Sequence, residues 1–169
     1  MLTAFERLIE LLPPGISVMD VGYGGLDGEN TTNYLRARFG LIDGLNKTDY
    51  AVARYRALYP DSEKDQVYFG TYPQDMPGER YDLLVLDPNI EGNLAFWTPH
   101  GMETAFQFVK DGGHIITYVM TTDLYGDPTT QKMIAEHRAN WWAKKVQLPI
   151  VAQEHEERRQ YISWVLLKK

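Results

Sequence analysis

A carboxylate beside a glycine-rich turn is the first feature of this sequence that could bind a ligand. Asp20 stands in a short apolar run, Ile16 to Val21, which predicts a strand and is followed by four glycines within seven residues. A helical pattern then begins near Thr31 and runs to Phe39. Glycine has no Cβ, so backbone N–H groups at such a turn can approach a ligand closely. Because an unpaired carboxylate is costly to bury, Asp20 should contact either a ligand or the backbone of the loop.

A second carboxylate, Asp87, follows an apolar segment that runs from Leu83 to Leu86. A continuous apolar run of this kind is typical of a strand buried on both faces of a parallel sheet. The carboxyl ends of parallel strands meet at one edge, so Asp87 should lie near the glycine turn. There it could orient a bound ligand or take a proton from it. A strand-end turn made rigid by Pro88 is the alternative.

Composition limits the kinds of site. The 169 residues include no cysteine, which excludes disulfides, cysteine-ligated zinc, iron–sulfur clusters and thiolate nucleophiles. The four histidines show no metal-ligand spacing, so we expect no metal site. The formal net charge of −6 disfavours nucleic acid as a partner without excluding it. With no bilayer-length apolar run and no visible secretory signal, we expect a cytoplasmic protein that does not bind membranes.

The elements that must position these residues alternate between helix and strand. Two strands close the chain and are joined by a charged turn at 156–159. The pattern predicts a largely parallel sheet with helices on both faces and one antiparallel member, in a single domain over 1–169. The predicted helices cover 3–12, 31–39, 48–58, 102–110 and 129–143, and the predicted strands cover 16–21, 41–46, 66–71, 81–89, 114–120, 146–154 and 160–167.

Three segments together resemble the class I S-adenosylmethionine-dependent methyltransferases. Val18 to Gly25 resembles motif I of that family, Tyr81 to Asn89 its strand-four motif, and Val109 to Ile116 its glycine turn before strand five. The segments occur in the family's order, and the similarity extends over essentially the whole chain. The resemblance implies an α/β, Rossmann-like, mostly parallel seven-stranded sheet with a C-terminal antiparallel β-hairpin. It also implies methyl transfer from S-adenosyl-L-methionine.

The resemblance implies where that cofactor would bind. Asp20 would anchor its methionine portion, although a contact with the loop backbone alone is equally compatible. Either Asp43 or Asn46 would hold the ribose, because register favours Asn46 and chemistry favours Asp43. Asp75 is the nearest acid to the expected adenine contact. The cofactor-binding residues implied in this way are Asp20, Gly22, Tyr23, Gly24, Gly25, Asp43, Asn46 and Asp87.

The catalytic residues implied are Asp87 and Asn89. The segment from Asp87 to Ile90 resembles the D-P-P-Y motif of amine-directed methyltransferases, with Asn89 and Ile90 in place of the last two residues. Pro88, Trp97 and Tyr118 are the implied substrate-binding residues, although aromatic residues also fill cores.

The acceptor would be a small molecule, or a nucleobase or side chain. Two other functions stay open. Leu26, Asn46 and Asn89 depart from the family pattern and motivate a non-catalytic module that binds the cofactor. An NAD-dependent enzyme is disfavoured because the G-x-G-x-x-G spacing is missing.

Overall fold

The computed structural model describes residues 1–22, 29–60, 67–86, 99–120, 149–157 and 161–169, and the single positions Met133, His137, Asn140 and Lys144. These four positions are helical and exposed, and they fall in or next to the helix predicted over 129–143. The elements are α1 (Ala4–Ile9), β1 (Val18–Val21), α2 (Glu29–Phe39), β2 (Asp43–Asn46), α3 (Asp49–Leu58), β3 (Val67–Phe69), β4 (Tyr81–Leu86), α4 (Pro99–Gln107), β5 (Val109–Met120), β6 (Ile150–Glu157) and β7 (Tyr161–Lys168).

The seven strands form one sheet in the order β3-β2-β1-β4-β5-β7-β6. Strands β1 to β5 pair in parallel, whereas β7 is antiparallel to both of its neighbours. The predicted fold class, a mostly parallel sheet that ends in an antiparallel hairpin, is therefore confirmed. The chain winds outward from β1 to β3 and returns to β4 on the other side of β1. This reversal creates a switch point between the carboxyl ends of β1 and β4, which is where open α/β sheets bind ligands.

Apolar residues cover both faces of the sheet. On one face Met19, Leu84 and Ile115 pack with Ala105 of α4. On the other face, alternate strand residues such as Val18 and Val85 form a cluster with α1 and α2, including Phe5, Leu8 and Leu35. Because successive strand residues point to opposite faces, a strand covered on both sides is apolar at nearly every position. This explains the unbroken run from Leu83 to Leu86.

The first helix begins at a capping box. Thr3 Oγ1 accepts a hydrogen bond from the Glu6 N–H, and Glu6 Oε2 accepts one from the Thr3 N–H. This reciprocal pair satisfies two backbone donors that a helix start otherwise leaves without partners. Arg7 then binds Glu154 of β6 at 2.9 Å, which ties α1 to the sheet. The helix ends at Ile9, earlier than predicted, although Leu12 still packs in the same cluster.

The boundary between α4 and β5 differs from the prediction of a helix to Lys110 and a strand from His114. The helix ends at Gln107, and β5 already begins at Val109, which is fully buried and pairs with Tyr81 of β4. Tertiary pairing thus overrides the helical pattern. Gly112 has a φ of +80°, at a register shift between β4 and β5. The glycine pair therefore bends a strand and does not precede one.

The closing hairpin also differs from the prediction. Glu156 and Glu157, which were expected in the turn, belong to β6 and pair with Ile162 and Tyr161 of β7. The antiparallel ladder therefore extends further than the charge pattern indicates. Backbone pairing in a ladder does not require apolar side chains, so a charged segment can still extend an edge strand.

Candidate functional site

The candidate site lies at the carboxyl edge of the sheet, where β1 ends between β2 and β4. Val21 pairs with Leu45 on one side and with Leu86 on the other. The next residue, Gly22, has a φ of +99° and donates its N–H to the Leu45 carbonyl oxygen at 2.7 Å. Only glycine adopts this conformation without steric cost. The chain therefore turns sharply at the switch point, as the sequence predicts for Gly22.

Asp20 is buried beneath this turn. Its side chain is 4% exposed, and its Oδ2 accepts a hydrogen bond from Thr32 Oγ1 at 2.8 Å. Thr32 is itself buried and lies near the start of α2. The bond fixes the carboxylate and joins β1 to α2. A negative charge near the amino end of a helix is also favoured by the helix dipole.

Thr32 was not among the predicted site residues. Its signal in the sequence is weak, because a threonine near a helix start usually indicates a capping role. Only the packing of α2 against β1 brings its hydroxyl group to Asp20, which is 12 residues away in the chain.

The end of β2 separates the two candidates for the ribose contact. Asn46 follows Leu45 and is therefore level with Gly22, and its side chain is buried. Asp43 pairs with Met19 at the opposite end of the strand, about 10 Å away at the usual rise per residue. There its Oδ2 accepts a hydrogen bond from the Tyr81 hydroxyl at 2.7 Å. Asn46 therefore lies at the same edge as Gly22 and Asp43 at the opposite edge, and the ribose contact stays a prediction for both.

The Asp43 carboxylate affects the titration of its partner. Burial raises the pKa of the Tyr81 phenol, and the hydrogen bond to Asp43 raises it further because the phenolate would face a negative charge. The Tyr81 hydroxyl group therefore stays protonated and donates its hydrogen bond to the Asp43 side chain. It links β2 to β4 at the amino-terminal edge of the sheet, away from the switch point.

Asn46 organises the loop that leads from β2 into α3. Its Oδ1 accepts hydrogen bonds from the backbone N–H and the Oγ1 of Thr48, each at 2.9 Å. A side chain that binds the N–H two residues ahead forms an Asx turn, which is a common way to enter a helix. Asn46 is thus a turn-forming residue at the candidate site as well as a candidate ligand contact.

The end of β3 completes this edge. Gly70 donates its N–H to the Asn46 carbonyl oxygen at 2.9 Å, and Asp75 Oδ2 accepts from the Thr71 N–H at 2.7 Å. A Cβ at Gly70 would lie 2.3 Å from the Asp75 Cβ, so no larger residue fits. Phe69 is exposed beside this loop. The contact between Asp75 and adenine stays a prediction.

Tyr118 lies within the core on the α1 face of the sheet. It is 6% exposed, and its ring centroid is 4.7 Å from that of Trp164, which in turn lies 5.0 Å from Phe5. These contacts give the ring a packing role between β5, β7 and α1. Its contact with an acceptor stays a prediction.

The remaining predicted residues, Tyr23, Gly24, Gly25, Asp87, Pro88, Asn89 and Trp97, lie outside the described residues.

Within the described ranges no three histidine, aspartate or glutamate side chains are grouped so that they could hold a metal ion. Among the described helices, none is both long and apolar enough to span a bilayer.

The fold is similar to those of several solved proteins, among them two described as methyltransferases. A protein from Pseudomonas syringae described as a candidate methyltransferase superposes with a TM-score of 0.65 at 14% identity, covering 98% of this chain and 96% of that one. The N-methyltransferase NodS from Bradyrhizobium japonicum WM9, in complex with S-adenosyl-L-homocysteine, gives 0.60 at 10% identity, covering 92% of this chain and 79% of that one. The pyocyanin biosynthetic protein PhzM gives 0.71 at 16% identity, covering 98% of this chain and 54% of PhzM, so this chain spans about half of PhzM.

No family model and no curated protein matches the sequence. At identities of 10% to 16% the structural likeness concerns the fold. The fold expected from the three motifs, a mostly parallel seven-stranded sheet with a C-terminal antiparallel hairpin, is shared with these solved proteins, and the similarity extends over nearly all of this chain.

Proposed function

We propose that this protein is an S-adenosylmethionine-dependent methyltransferase, built as a single domain over 1–169, that methylates an acceptor by in-line displacement. The observation that carries the proposal is the carboxyl edge at the switch point. There a buried carboxylate, Asp20, underlies a sharp turn at Gly22, next to the end of β2 at Asn46. The fold is shared with NodS, which has been solved with the demethylated cofactor. The carboxylate is suited to bind an ammonium group. The glycine turn lets the backbone approach a ligand closely, and the residue at the end of β2 is suited to contact a sugar.

The proposed cofactor-binding residues contact different parts of the ligand. Asp20 attracts the amino group of the methionine portion, directly or through water. Gly22, with Tyr23, Gly24 and Gly25, lets the backbone approach the ligand closely. Asn46 faces the ribose, while Asp43 remains at the opposite edge with Tyr81.

The cofactor supplies an electrophilic methyl group on a sulfonium. The protein's contribution is to align the acceptor with that methyl group and to exclude water, which together account for much of the rate. Asp87 and Asn89 follow β4 in the chain and are proposed to orient the acceptor. Asp87 takes its proton where the nucleophile must lose one. Pro88, Trp97 and Tyr118 are proposed to line the acceptor pocket, which takes a small molecule, or a nucleobase or side chain.

Titration with S-adenosylhomocysteine tests this proposal. Ligand at about one hundred times its dissociation constant should stabilise the fold by about 2.7 kcal/mol, which a thermal melt detects. Asp20→Asn should weaken binding about tenfold or more, because a charge-assisted contact to the ammonium group is lost. Asp82→Asn is the matched control. It removes a carboxylate from the same sheet at the opposite edge, and it should leave the affinity unchanged. Absence of both heat and thermal shift with the wild-type protein would refute the proposal.

A cofactor-binding module without methyl transfer is the second candidate. It is motivated by the departures from the family pattern at Leu26, Asn46 and Asn89. Asp87→Ala separates the two candidates once an acceptor is found. The enzyme should lose most of its transfer rate and keep its affinity for S-adenosylhomocysteine, whereas a non-catalytic module has no rate to lose.

A further inference from the structure

We infer that the Asn46 side chain offers no hydrogen-bond acceptor to the sugar of a bound nucleoside, so the site selects only weakly for the ribose hydroxyl groups. The inference rests on the proposed function, because it concerns the sugar of the cofactor. The side chain at position 46 would then decide how strongly the site prefers a ribose to a deoxyribose.

The position of Asn46 brings it to the sugar. It is the last residue of β2 and is level with Gly22 across the β1–β2 pair. In Rossmann-like sheets the residue that reaches the ribose lies at the end of the second strand, about 20 residues after the glycine turn. Asn46 occupies that place, and Asp43 does not.

The orientation of the Asn46 amide follows from its partner. The backbone N–H of Thr48 can only donate, so the Asn46 atom that it faces must be the oxygen. The same Oδ1 also accepts from Thr48 Oγ1 at 2.9 Å. A carbonyl oxygen has two lone pairs, and both are directed to Thr48. The other polar group of the side chain, Nδ2, is a donor.

The neighbouring backbone oxygens are also engaged in the sheet. The Leu45 carbonyl accepts from the Gly22 N–H at 2.7 Å, and the Asn46 carbonyl accepts from the Gly70 N–H at 2.9 Å. A ribose hydroxyl that approaches the Asn46 side chain therefore finds both lone pairs of its oxygen already engaged by Thr48. A carboxylate at the same position would differ, because one oxygen could hold Thr48 while the other received the hydroxyl.

This difference has a measurable consequence. A site built to receive a hydroxyl group strongly rejects the analogue that lacks it, since a buried polar group then loses its partner. Without such an acceptor, the 2′-deoxy analogue of S-adenosylhomocysteine should bind within about tenfold of the parent nucleoside. A hydrogen bond from a hydroxyl to a carboxylate would widen that ratio to about ten- to a hundredfold.

Calorimetric titration of the full chain with the two nucleosides tests the inference. The wild-type protein should bind S-adenosylhomocysteine and its 2′-deoxy analogue with similar affinity. Asn46→Asp preserves the size of the side chain and the Asx turn, and it adds an acceptor. It should bind the parent nucleoside about tenfold tighter, with no gain for the deoxy analogue. The ratio of the two affinities can be measured on the wild-type protein alone, so it tests the inference even if Asn46→Asp folds poorly.

Asp49 provides the control. It is an exposed carboxylate at the start of α3, and its Oδ1 accepts from the Tyr50 N–H. Asp49→Asn should leave the ratio of the two affinities unchanged. The inference is overturned if the wild-type protein rejects the deoxy analogue by clearly more than about tenfold, or if Asp49→Asn changes the ratio as much as Asn46→Asp does. Failure of every variant and the wild type to bind either nucleoside would instead overturn the proposed function, and this inference with it.

Discussion

At the scale of single residues, the Asp20–Thr32 pair shows how the site holds a buried charge. Asp20 is 4% exposed and Thr32 is 2% exposed, and one hydrogen bond of 2.8 Å joins them. Burying a carboxylate is tolerable only if hydrogen bonds replace water. The Thr32 hydroxyl group donates a hydrogen bond to one Asp20 carboxylate oxygen and so holds the carboxylate in one orientation. Thr32 is therefore a positioning residue for Asp20.

Thr32→Val tests this role because it removes the hydroxyl group and keeps the shape of the side chain. We expect the free energy of unfolding to fall by about 1–3 kcal/mol, since the carboxylate loses a buried donor. Affinity for S-adenosylhomocysteine should fall as well. Thr32→Ser is the control, and it should retain most of both quantities. Equal stability of Thr32→Val and wild type in urea unfolding would contradict the role.

At the scale of elements, the two edges of the sheet have separate tasks. The carboxyl edge carries the candidate site, whereas the amino-terminal edge carries a polar cluster that joins β1, β4 and β5. Asp82 Oδ2 accepts from the backbone N–H and the Oγ of Ser17, at 2.8 and 2.6 Å, and from Lys110 Nζ at 2.9 Å. This cluster fixes the strand ends furthest from the candidate site.

The cluster should make stability depend on pH in acid. Burial acts to raise the pKa of Asp82, but hydrogen bonds from Ser17 and the charge of Lys110 outweigh it, so the pKa is lowered. A carboxyl group with a lowered pKa stabilises the fold fully above its unfolded pKa of about 3.9. That stabilisation is lost as the pH falls through the lower, folded value.

We therefore expect Asp82→Asn to lower the free energy of unfolding by about 1 kcal/mol near neutral pH. The expected cost is small because the side chains of Asp82 and Lys110 are both more than a third exposed. The cost should shrink as the pH falls below about 4, where the wild-type carboxylate becomes protonated. Urea unfolding of both proteins between pH 7 and pH 3 measures the difference. A cost that stays constant over this range would show that the carboxylate charge plays no part. Lys110→Met should produce a similar but smaller effect.

At the scale of the whole molecule, stability depends on a sheet covered on both faces. Leu84 lies in β4, near the middle of the sheet, and is fully buried in the cluster that includes Ala105 of α4. The same strand ends at the switch point, because Leu86 pairs with Val21. Packing at the centre of the sheet and the geometry of the candidate site are therefore linked through one element.

Leu84→Ala should lower the free energy of unfolding by about 2–5 kcal/mol, through lost burial and the cavity left behind. Leu58→Ala is the matched control, since Leu58 lies in α3 and is 50% exposed. Its cost should stay within about 0.5 kcal/mol. Chemical denaturation of both variants measures the two values. A small effect at Leu84 would contradict its place at the centre of the core.

Local sequence patterns are enough to predict most of the elements and the class of the sheet. Periodicity, glycine and proline act over a few residues, so the run from Leu83 to Leu86 and the turn at Gly22 are readable locally. The alternation of helices and strands then restricts the sheet to a parallel, doubly wound form. A boundary that depends on a distant partner escapes such reasoning. Val109 is in a strand because it pairs with Tyr81, 28 residues away.

Which polar residues share an edge of the sheet depends on how the chain folds. Asp43 and Asn46 are three residues apart, and strand register alone puts one beside Gly22 and the other beside Tyr81. The partner of Asp20 is a hydroxyl group on the next helix, and Tyr118 packs against Trp164 of another strand. Local pattern depends on the conformational preferences of neighbouring residues. Site geometry depends on hydrogen bonds and burial between residues that only the folded chain brings together.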